Sequence, residues 1–287
     1  MEKSLKLFLS LILCLGCNQT TFLSKGEKNA LAEEKWKAVV QQNSDDIHHT
    51  QGSAKTMKLI DEIIKLNPNH CDALRERSIP YLKRGMPQEW KKYIDQAVAC
   101  DSSAWIGWRG HHYLYFYRDY QKAIADFDAT DRLTPNHIDA PQGHSVDFWR
   151  GHAYLGAKNY EKSIYYYQKH IAQVTKEFGE DWVEPDAFLN LAIAHYENNC
   201  LDSMPHYLDK ALYYYQNKNA DSKYYYALYE QEKGNKEKAL TWVDQGIEDF
   251  YAGYFKRRPY YNEEIKQVYV EQLIELERSL KNPVANQ

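Results

Sequence analysis

The chain has 287 residues, of which 44% are hydrophobic and 26% charged, and its formal net charge is -4. This length suffices for a sizeable core or an extended array. A weakly acidic chain lacks the basic field of a general nucleic-acid-binding protein, so no nucleic-acid partner is expected. Tyrosine is abundant at 25 residues, whereas glycine (13) and proline (9) are sparse, which favours helices over sheets.

The first seventeen residues form a segment of their own. Two lysines give it a positive start, residues 7–15 are a short apolar run, and Gly16 precedes Cys17. The run is too short for a stable bilayer anchor, so a signal peptide is the better interpretation. Its end resembles a bacterial lipobox, in which a small residue precedes a cysteine that becomes lipid-modified, although Cys14 stands where that motif has leucine.

This resemblance implies a lipoprotein with a signal peptide over residues 1–17, a lipid on Cys17 and a flexible linker over 18–29. The acyl chains would hold the protein on a membrane surface while its body stays in water. Asn18 is not the aspartate of an inner-membrane retention signal. The expected location is therefore the bacterial envelope, at the outer membrane and facing the periplasm. An ordinary secretory signal cut nearby and a structural apolar N-terminus are the alternatives.

The next elements are helices. Residues 30–42 predict a first helix, and a polar stretch follows it. A second helix is predicted over residues 53–66, where apolar residues recur at helical spacing, and Asn67 and Pro68 end it.

The stretch from Trp108 to Phe127 is repeated from Trp149 to Tyr167. The first copy begins Trp-Arg-Gly-His-His-Tyr-Leu and the second begins Trp-Arg-Gly-His-Ala-Tyr-Leu. Further on, Asp-Tyr-Gln-Lys-Ala-Ile in the first copy matches Asn-Tyr-Glu-Lys-Ser-Ile in the second. A self-match of this density indicates a duplicated structural unit.

Helix ends recur at regular intervals, because Pro68, Ser102 and Pro135 stand 34 and 33 residues apart. Together with the duplicated unit, this spacing resembles the tetratricopeptide repeat, a helical hairpin of about 34 residues. The resemblance covers about residues 53–249. Its position 20, where a small residue lets the two helices meet, falls on Thr56, Trp90, Ala123, Ser163, Met204 and Ala239.

The resemblance implies an all-α fold, a right-handed α-solenoid of five to six tetratricopeptide-like hairpins over residues 30–249. Residues 250–287 are expected to supply a C-terminal capping helix, which Asn262 would cap and which would run to about Leu280. A terminal repeat leaves an open apolar face that such a helix covers. A partner-binding helix is the alternative.

Two insertions break the repeat rhythm, at residues 136–146 and 177–185. Each falls between the second helix of one hairpin and the first helix of the next, which predicts that they are neighbours on one edge. Surface loops of this kind often carry binding residues, and neutral elongation is the other interpretation.

No catalytic signature occurs in the sequence, which lacks a Gly-rich phosphate loop, a His-Glu-x-x-His motif and a Gly-x-Ser-x-Gly motif. The eleven histidines are not spaced like a metal site. We therefore expect no enzyme activity, no cofactor and no metal.

In proteins of this repeat family the first helices line a concave groove that binds partners. A groove that mixes aromatic and polar groups suits an extended peptide or an amphipathic helix. The resemblance places there the candidate partner-binding residues Arg75, Lys83, Arg109, His111, Tyr115, Phe148, Arg150, His152, Tyr196 and Tyr224.

Two further expectations follow from the repeat positions. Arg109 and Arg150 occupy a normally apolar position, where each is either an internal brace to a neighbouring helix or a groove cation for an acidic ligand. Cys71 and Cys100 occupy positions 1 and 30 of one hairpin, which lie opposite each other and imply a disulfide. Closing a loop of this length contributes about 3–4 kcal/mol.

The sequence thus predicts a non-enzymatic scaffold or adaptor, anchored in the bacterial envelope, that binds an envelope protein or peptide through its concave face. The alternative is a glycan- or small-ligand-binding lipoprotein of an uptake system, in which aromatic rings stack on the ligand. Exposed aromatic residues clustered on one face would favour this alternative, and aromatic residues buried between helices would count against it.

Overall fold

The computed structural model describes residues 23–45, 51–257 and 262–282. Cys17 and the predicted signal peptide lie outside these ranges. The described residues form thirteen α-helices and no strand. In chain order the helices are α1 (Lys25–Asp45), α2 (Ala54–Leu66), α3 (Cys71–Lys83), α4 (Pro87–Cys100), α5 (Ser102–Phe116), α6 (Tyr120–Leu133), α7 (Val146–Gly156), α8 (Tyr160–Phe178), α9 (Pro185–Glu197), α10 (Met204–Tyr214), α11 (Ala220–Glu232), α12 (Lys236–Tyr251) and α13 (Val270–Lys281).

The helices belong to two compact units that divide between Trp105 and Ile106, inside α5. Unit 1 contains the hairpins α1/α2 and α3/α4. Unit 2 contains the hairpins α5/α6, α7/α8, α9/α10 and α11/α12, followed by α13. Within the described residues there are thus six helical hairpins and one final helix, which confirms the predicted all-α repeat architecture.

Close contact between the two helices of each hairpin explains the repeated sequence. Gly110 and Gly151 are the glycines of the two Trp-Arg-Gly-His motifs. A Cβ atom added to Gly110 would lie 2.9 Å from the Phe127 ring, and one added to Gly151 would lie 2.8 Å from the Tyr167 ring. The rings occupy the space that a side chain would need, so packing alone requires glycine here. The six predicted position-20 residues are also all buried.

Stacked rings span three of the hairpins at equivalent places and account for several of the tyrosines. In each pair the two residues are twelve positions apart and belong to the first and second helix of one hairpin. The ring centroids are 5.4 to 5.8 Å apart and the planes are within 8° of parallel, for Tyr81–Tyr93, Tyr154–Tyr166 and His195–Tyr207. These rings therefore serve packing between helices.

The first helix starts earlier than predicted, at Lys25, so residues 25–29 are helix and not linker. The reason is a capping box that the sequence contains. Ser24 Oγ accepts a hydrogen bond from the Glu27 backbone N–H, and the Glu27 carboxylate accepts one from the Ser24 backbone N–H. These bonds satisfy backbone donors that a helix start otherwise leaves unpaired.

The final helix starts later than predicted, at Val270, and Asn262 does not cap it. Tyr269 precedes the helix and its backbone N–H donates to the Gln272 side chain, and the non-helical residues Ile265 and Val268 before it are buried. The Gln267 side-chain amide donates to the Lys256 carbonyl. The helix itself does act as a cap, since it buries Leu276 and Leu280 with apolar residues of α11 and α12.

A disulfide joins the ends of the α3/α4 hairpin. Cys71 starts α3 and Cys100 ends α4, and their Cα atoms are 5.5 Å apart. The bond pins the open end of the hairpin in unit 1. Cys200 is exposed and is not part of a disulfide.

Gly151→Ala should lower the free energy of unfolding by roughly 1–3 kcal/mol, because the new methyl overlaps the Tyr167 ring in a filled space. Gly26→Ala is the matched control, since nothing lies within 4 Å of its added Cβ and alanine favours a helix. Urea unfolding followed by circular dichroism measures both. Equal stability of the two variants would contradict the packing role of Gly151.

Candidate partner-binding site

Rings from α5 and α7 meet in unit 2 to form a compact group, here called the histidine cluster and made of His111, Tyr115, Phe148, Trp149 and His152. The His111 and Trp149 centroids are 4.8 Å apart, and those of Phe148 and His152 are 4.5 Å apart. All five side chains are buried. The duplicated motif supplies most of this cluster, because its histidines project from the first helix of two successive hairpins.

A hydrogen-bonded chain runs from the C-terminal part of unit 2 into the histidine cluster. Lys256 Nζ donates to Asn190 Oδ1 at 3.1 Å, and this contact fixes the orientation of the amide. The Asn190 amide nitrogen then donates to His152 Nε2 at 3.1 Å. His152 therefore carries its proton on Nδ1, which lies 2.8 Å from the Tyr167 hydroxyl.

The two insertions meet each other through charged and polar side chains, here called the loop clasp. Glu184 in the second insertion accepts from His144 Nδ1 at 2.5 Å and from His170 Nε2 at 2.7 Å. The other nitrogen of His170 lies 2.9 Å from Ser145 Oγ. The prediction that the two insertions are neighbours on one edge is therefore confirmed.

The loop clasp has a hydroxyl, an imidazole and a carboxylate in series, the order of groups in a nucleophilic triad. Its surroundings indicate a structural role. Ser145 is the N-cap of α7, where its Oγ accepts from the Phe148 backbone N–H, and His170 is buried. Burial disfavours the ionised form of Glu184, but the hydrogen bonds from His144 and His170 outweigh it and hold the pKa of this carboxyl well below its usual range.

The surface shared by α7, α9 and α11, here called the first-helix face, is crossed by the C-terminal segment, defined as residues 254–257 and 262–269. The Ala220 backbone N–H donates to the Tyr254 carbonyl, and Lys266 forms an ion pair with Glu197 at 2.7 Å. A cleft of about 400 Å³ lies on one side of the segment, with Leu155 in its lining. A second cleft of about 250 Å³ lies beside Tyr196 and Tyr224.

Exposed aromatic rings lie in the second insertion and on α10. They are here called the aromatic edge: Phe178 and Trp182 in the insertion and Tyr213 on α10, with 66%, 74% and 71% of their surfaces accessible. The Tyr213 ring centroid is 5.0 Å from that of Tyr214, whose hydroxyl donates to Asp181 of the insertion at 3.1 Å. Glu177 and Asp181 of the same insertion are also exposed. Such exposed apolar area is typical of interaction sites.

Other classes of site are not found among the described residues. No group of three or more histidine, cysteine, aspartate or glutamate residues in the ranges 23–45, 51–257 and 262–282 is arranged to hold a metal ion. No helix of the part that the structure describes is long and apolar enough to cross a membrane.

Comparison with known proteins agrees with the helical-hairpin fold described above. No protein-family model and no curated protein match the sequence. Solved structures do match, and one is PilF of Pseudomonas aeruginosa, at 15% identity, with 79% of this chain and 92% of PilF covered and a TM-score of 0.54. Another is PilW, a widely conserved type IV pilus biogenesis factor, at 16% identity, 82% and 96% coverage and a TM-score of 0.56.

A third match is YrrB, described as a tetratricopeptide-repeat (TPR) protein with an unusual peptide-binding site. It is 17% identical, covers 66% of this chain and 91% of YrrB, and has a TM-score of 0.51. The chain has the TPR fold. At these identities the likeness extends to the fold alone, so ligands and partners have to be argued from the residues of this chain itself.

The predicted TPR groove is open at fewer positions than the sequence indicated. That a partner contacts the ten candidates stays a prediction, but half of them, namely His111, Tyr115, Phe148, Arg150 and His152, are buried. The physical reason is that the first insertion packs over α7. The Trp149 indole N–H donates to the Pro141 carbonyl at 2.7 Å, and His144 stacks on Phe148.

The remaining groove candidates differ in their surroundings. In unit 1, Lys83 is exposed and donates to Gln51, while the Arg75 guanidinium contacts Glu76 at 2.8 Å and lies 5.3 Å from the Trp105 ring. In unit 2, Tyr196 and Tyr224 are half-buried and line one cleft beside the C-terminal segment.

The two recurring arginines are internal braces. Arg109 forms a bidentate pair with Asp126 on α6, with N–O distances of 2.8 and 2.7 Å. Arg150 is fully buried, and its guanidinium contacts Asp147 and Asp131, both at 2.7 Å, and Asp128 at 3.1 Å. It thereby ties α7 to α6 of the preceding hairpin. Both guanidinium groups are thus paired with carboxylates of the same chain.

Arg150→Met should lower the free energy of unfolding by roughly 1.5–3 kcal/mol, because the buried carboxylate of Asp147 loses its guanidinium partner and keeps only the Lys169 ammonium. Lys122→Met is the control, since Lys122 pairs with Asp119 at the surface and its loss should change stability by less than about 1 kcal/mol. Guanidinium unfolding measures both. Similar values for the two variants would contradict the brace.

Glu184→Gln should lower stability near neutral pH by roughly 1.5–3 kcal/mol, because hydrogen bonds to a charged carboxylate are lost. The folded-state pKa of Glu184 is depressed, so its contribution is present above the unfolded pKa of about 4.3 and disappears as the pH falls through the folded value. The stability difference between wild type and variant should therefore shrink in acid.

Chemical unfolding at a series of pH values tests this, with the exposed Glu177→Gln as control. A stability difference for Glu184→Gln that stays constant from pH 7 to pH 2 would contradict the loop clasp.

Proposed function

We propose that this protein is a non-enzymatic, membrane-anchored scaffold of the bacterial envelope that binds a partner protein. The TPR fold supports a protein-binding scaffold. The lipobox-like Gly16–Cys17 end of the N-terminal segment supports an anchor on the outer membrane, with the protein body in the periplasm. The similarity to PilW, a type IV pilus biogenesis factor, fits an envelope role at the level of architecture.

The aromatic edge is the observation that supports this proposal most directly. Most of the aromatic and histidine side chains that were predicted to line the groove are buried. In contrast, more than two-thirds of the surface of Trp182 and of Tyr213 is exposed. Exposed tryptophan and tyrosine are enriched at the energetic centres of protein interfaces. Glu177 and Asp181 are exposed beside them, so a partner segment with apolar and basic side chains fits this edge.

Trp182→Ala combined with Tyr213→Ala should abolish capture of the partner by the lipidated protein from native membranes, because the two rings supply the exposed contact area. Tyr251→Ala is the matched control, since Tyr251 is also 71% exposed but lies on α12. Proteins captured by wild type and lost only from the double variant are identified by mass spectrometry. Equal recovery with all three proteins would reject the aromatic edge as the binding surface.

Cys17→Ser in the same preparation tests the anchor, because the unlipidated chain should leave the membrane fraction. Retention of this variant in the membrane would contradict lipidation at Cys17.

A glycan ligand is the second candidate, and the exposed indole of Trp182 is the observation that favours it. Flat aromatic rings with acceptor groups beside them suit sugar faces and hydroxyls. Binding of peptidoglycan fragments that is lost in the double alanine variant, with no protein captured, would assign the aromatic edge to a glycan.

A further inference from the structure

The disulfide between Cys71 and Cys100 lies beside an open cleft of unit 1. Both cysteines are half-buried, whereas the nearby Asn69 and Ala99 are exposed. The cleft has a volume of about 380 Å³ and is lined by Pro68, Asn69, Leu74, Gln96, Ala99 and Cys100. Of the two cysteines, only Cys100 belongs to this lining. A thiol that enters the cleft therefore meets Cys100 first.

The two cysteines stand at opposite ends of their helices, which makes their sulfur atoms chemically unequal. Cys71 is the first residue of α3, and Cys100 is the last residue of α4. Backbone N–H groups at a helix start stabilise a thiolate, whereas carbonyl groups at a helix end disfavour one. The Cys71 sulfur is therefore the better leaving group, since thiol–disulfide exchange is faster when the more stable thiolate departs.

The Asn69 carbonyl increases this difference. Its oxygen lies 3.1 Å from the Cys100 sulfur and 3.7 Å from the Cys71 sulfur. Its partial negative charge disfavours a thiolate on Cys100, while a protonated Cys100 thiol can donate to it. Asp72 is the charged residue next to Cys71, but it is exposed, so water and salt screen its effect. Access and chemistry thus both favour attack at Cys100.

Contacts that do not involve sulfur hold the same end of unit 1. His70 is the N-cap of α3, where its Nδ1 accepts from the Ala73 backbone N–H at 3.2 Å, and its ring centroid is 5.2 Å from that of Trp36 on α1. On α4, Val98 is buried two residues before Cys100. We therefore expect the hairpin to keep its helices when the disulfide is reduced.

We propose that Cys71–Cys100 is a thiol–disulfide exchange site of fixed direction, at which a dithiol donor attacks Cys100 and Cys71 leaves. First, a donor thiolate bonds to the Cys100 sulfur, the bond between the two cysteines breaks, and its electron pair stays on Cys71 as a thiolate. The donor's second thiolate then attacks the donor sulfur of this mixed disulfide and releases Cys100, which takes a proton from water. The donor is oxidised to a disulfide, and the protein disulfide is reduced by two electrons.

Such exchange makes α3/α4 a redox-controlled hairpin in place of a permanently crosslinked one. The Cα atoms of the two cysteines are 5.5 Å apart in the folded hairpin, a separation at which exchange with an oxidised donor re-forms the bond. The inference needs a dithiol donor but neither a membrane nor a captured partner. It is therefore independent of the proposed scaffold function.

Glutathione, a single thiol, traps the first step. Cys200 is alkylated beforehand in the oxidised full chain, so that its free thiol does not interfere. Glutathione is added, the reaction is stopped with acid, and mass spectrometry of peptides measures the glutathione on each cysteine. We expect roughly ten times more on Cys100 than on Cys71, because Cys71 is the leaving group. Equal amounts, or more on Cys71, would overturn the proposal.

Ala99→Trp tests the path of approach, because it fills the cleft beside Cys100 from an exposed position. It should slow reduction by dithiothreitol roughly tenfold, since access limits the exchange. Lys92→Trp is the matched control: Lys92 is exposed on the same helix and lies outside the cleft lining, so this variant should be reduced at the wild-type rate. Equal rates for the two variants would contradict entry through the cleft.

Circular dichroism of the reduced wild type supplies the third measurement. The helical signal should match that of the oxidised protein, and oxidised glutathione should restore the disulfide. Loss of helix on reduction would make the disulfide a structural staple and overturn the exchange site. Failure of the membrane capture with these three results intact would reject the scaffold and leave the exchange site standing.

Discussion

Close approach of two helices is the constraint on which the other features of this molecule depend. In the duplicated motif a glycine on the first helix faces an aromatic ring on the second, Gly110 against Phe127 and Gly151 against Tyr167. The glycine lets the backbones meet, and the ring fills the space beside it. This contact sets the direction in which the neighbouring arginine and histidine project. The arginine then ties α7 to α6, and the histidines enter the core of unit 2.

The same geometry explains why the first-helix face is polar and yet largely covered by the C-terminal segment. First helices present His152 and Asn190 towards each other, and buried polar groups need partners. The Tyr167 hydroxyl, the Asn190 amide and the Lys256 ammonium supply them in a continuous chain. The C-terminal segment is held on this surface by the polar groups that close it. An apolar surface would leave the same ammonium without acceptors.

The two insertions stabilise the structure, and the second one also exposes part of the aromatic edge. Glu184 holds both of them through His144 and His170. The first insertion covers the histidine cluster through Pro141 and His144, while Trp182 of the second insertion is exposed. A loop that is fixed by a charged clasp can present an aromatic ring to a partner with little loss of conformational freedom on binding.

The sequence by itself determined the helical hairpins, because packing residues recur at a local period of about 34 positions and helix stops follow each unit. It also placed the insertions on one edge and placed Cys71 opposite Cys100, since both follow from hairpin connectivity. A local signal at Ser24 and Glu27 would have given the start of α1 as well. Only the tertiary structure decided which groove residues a partner can reach. His152 occupies a first-helix position that the repeat normally leaves open. It is buried here because contacts between residues far apart in sequence cover it, namely Asn190 with His152 and Lys256 with Asn190, the latter pair 66 positions apart. Periodicity reports which face of a helix a residue lies on, but it carries no information about what distant part of the chain covers that face.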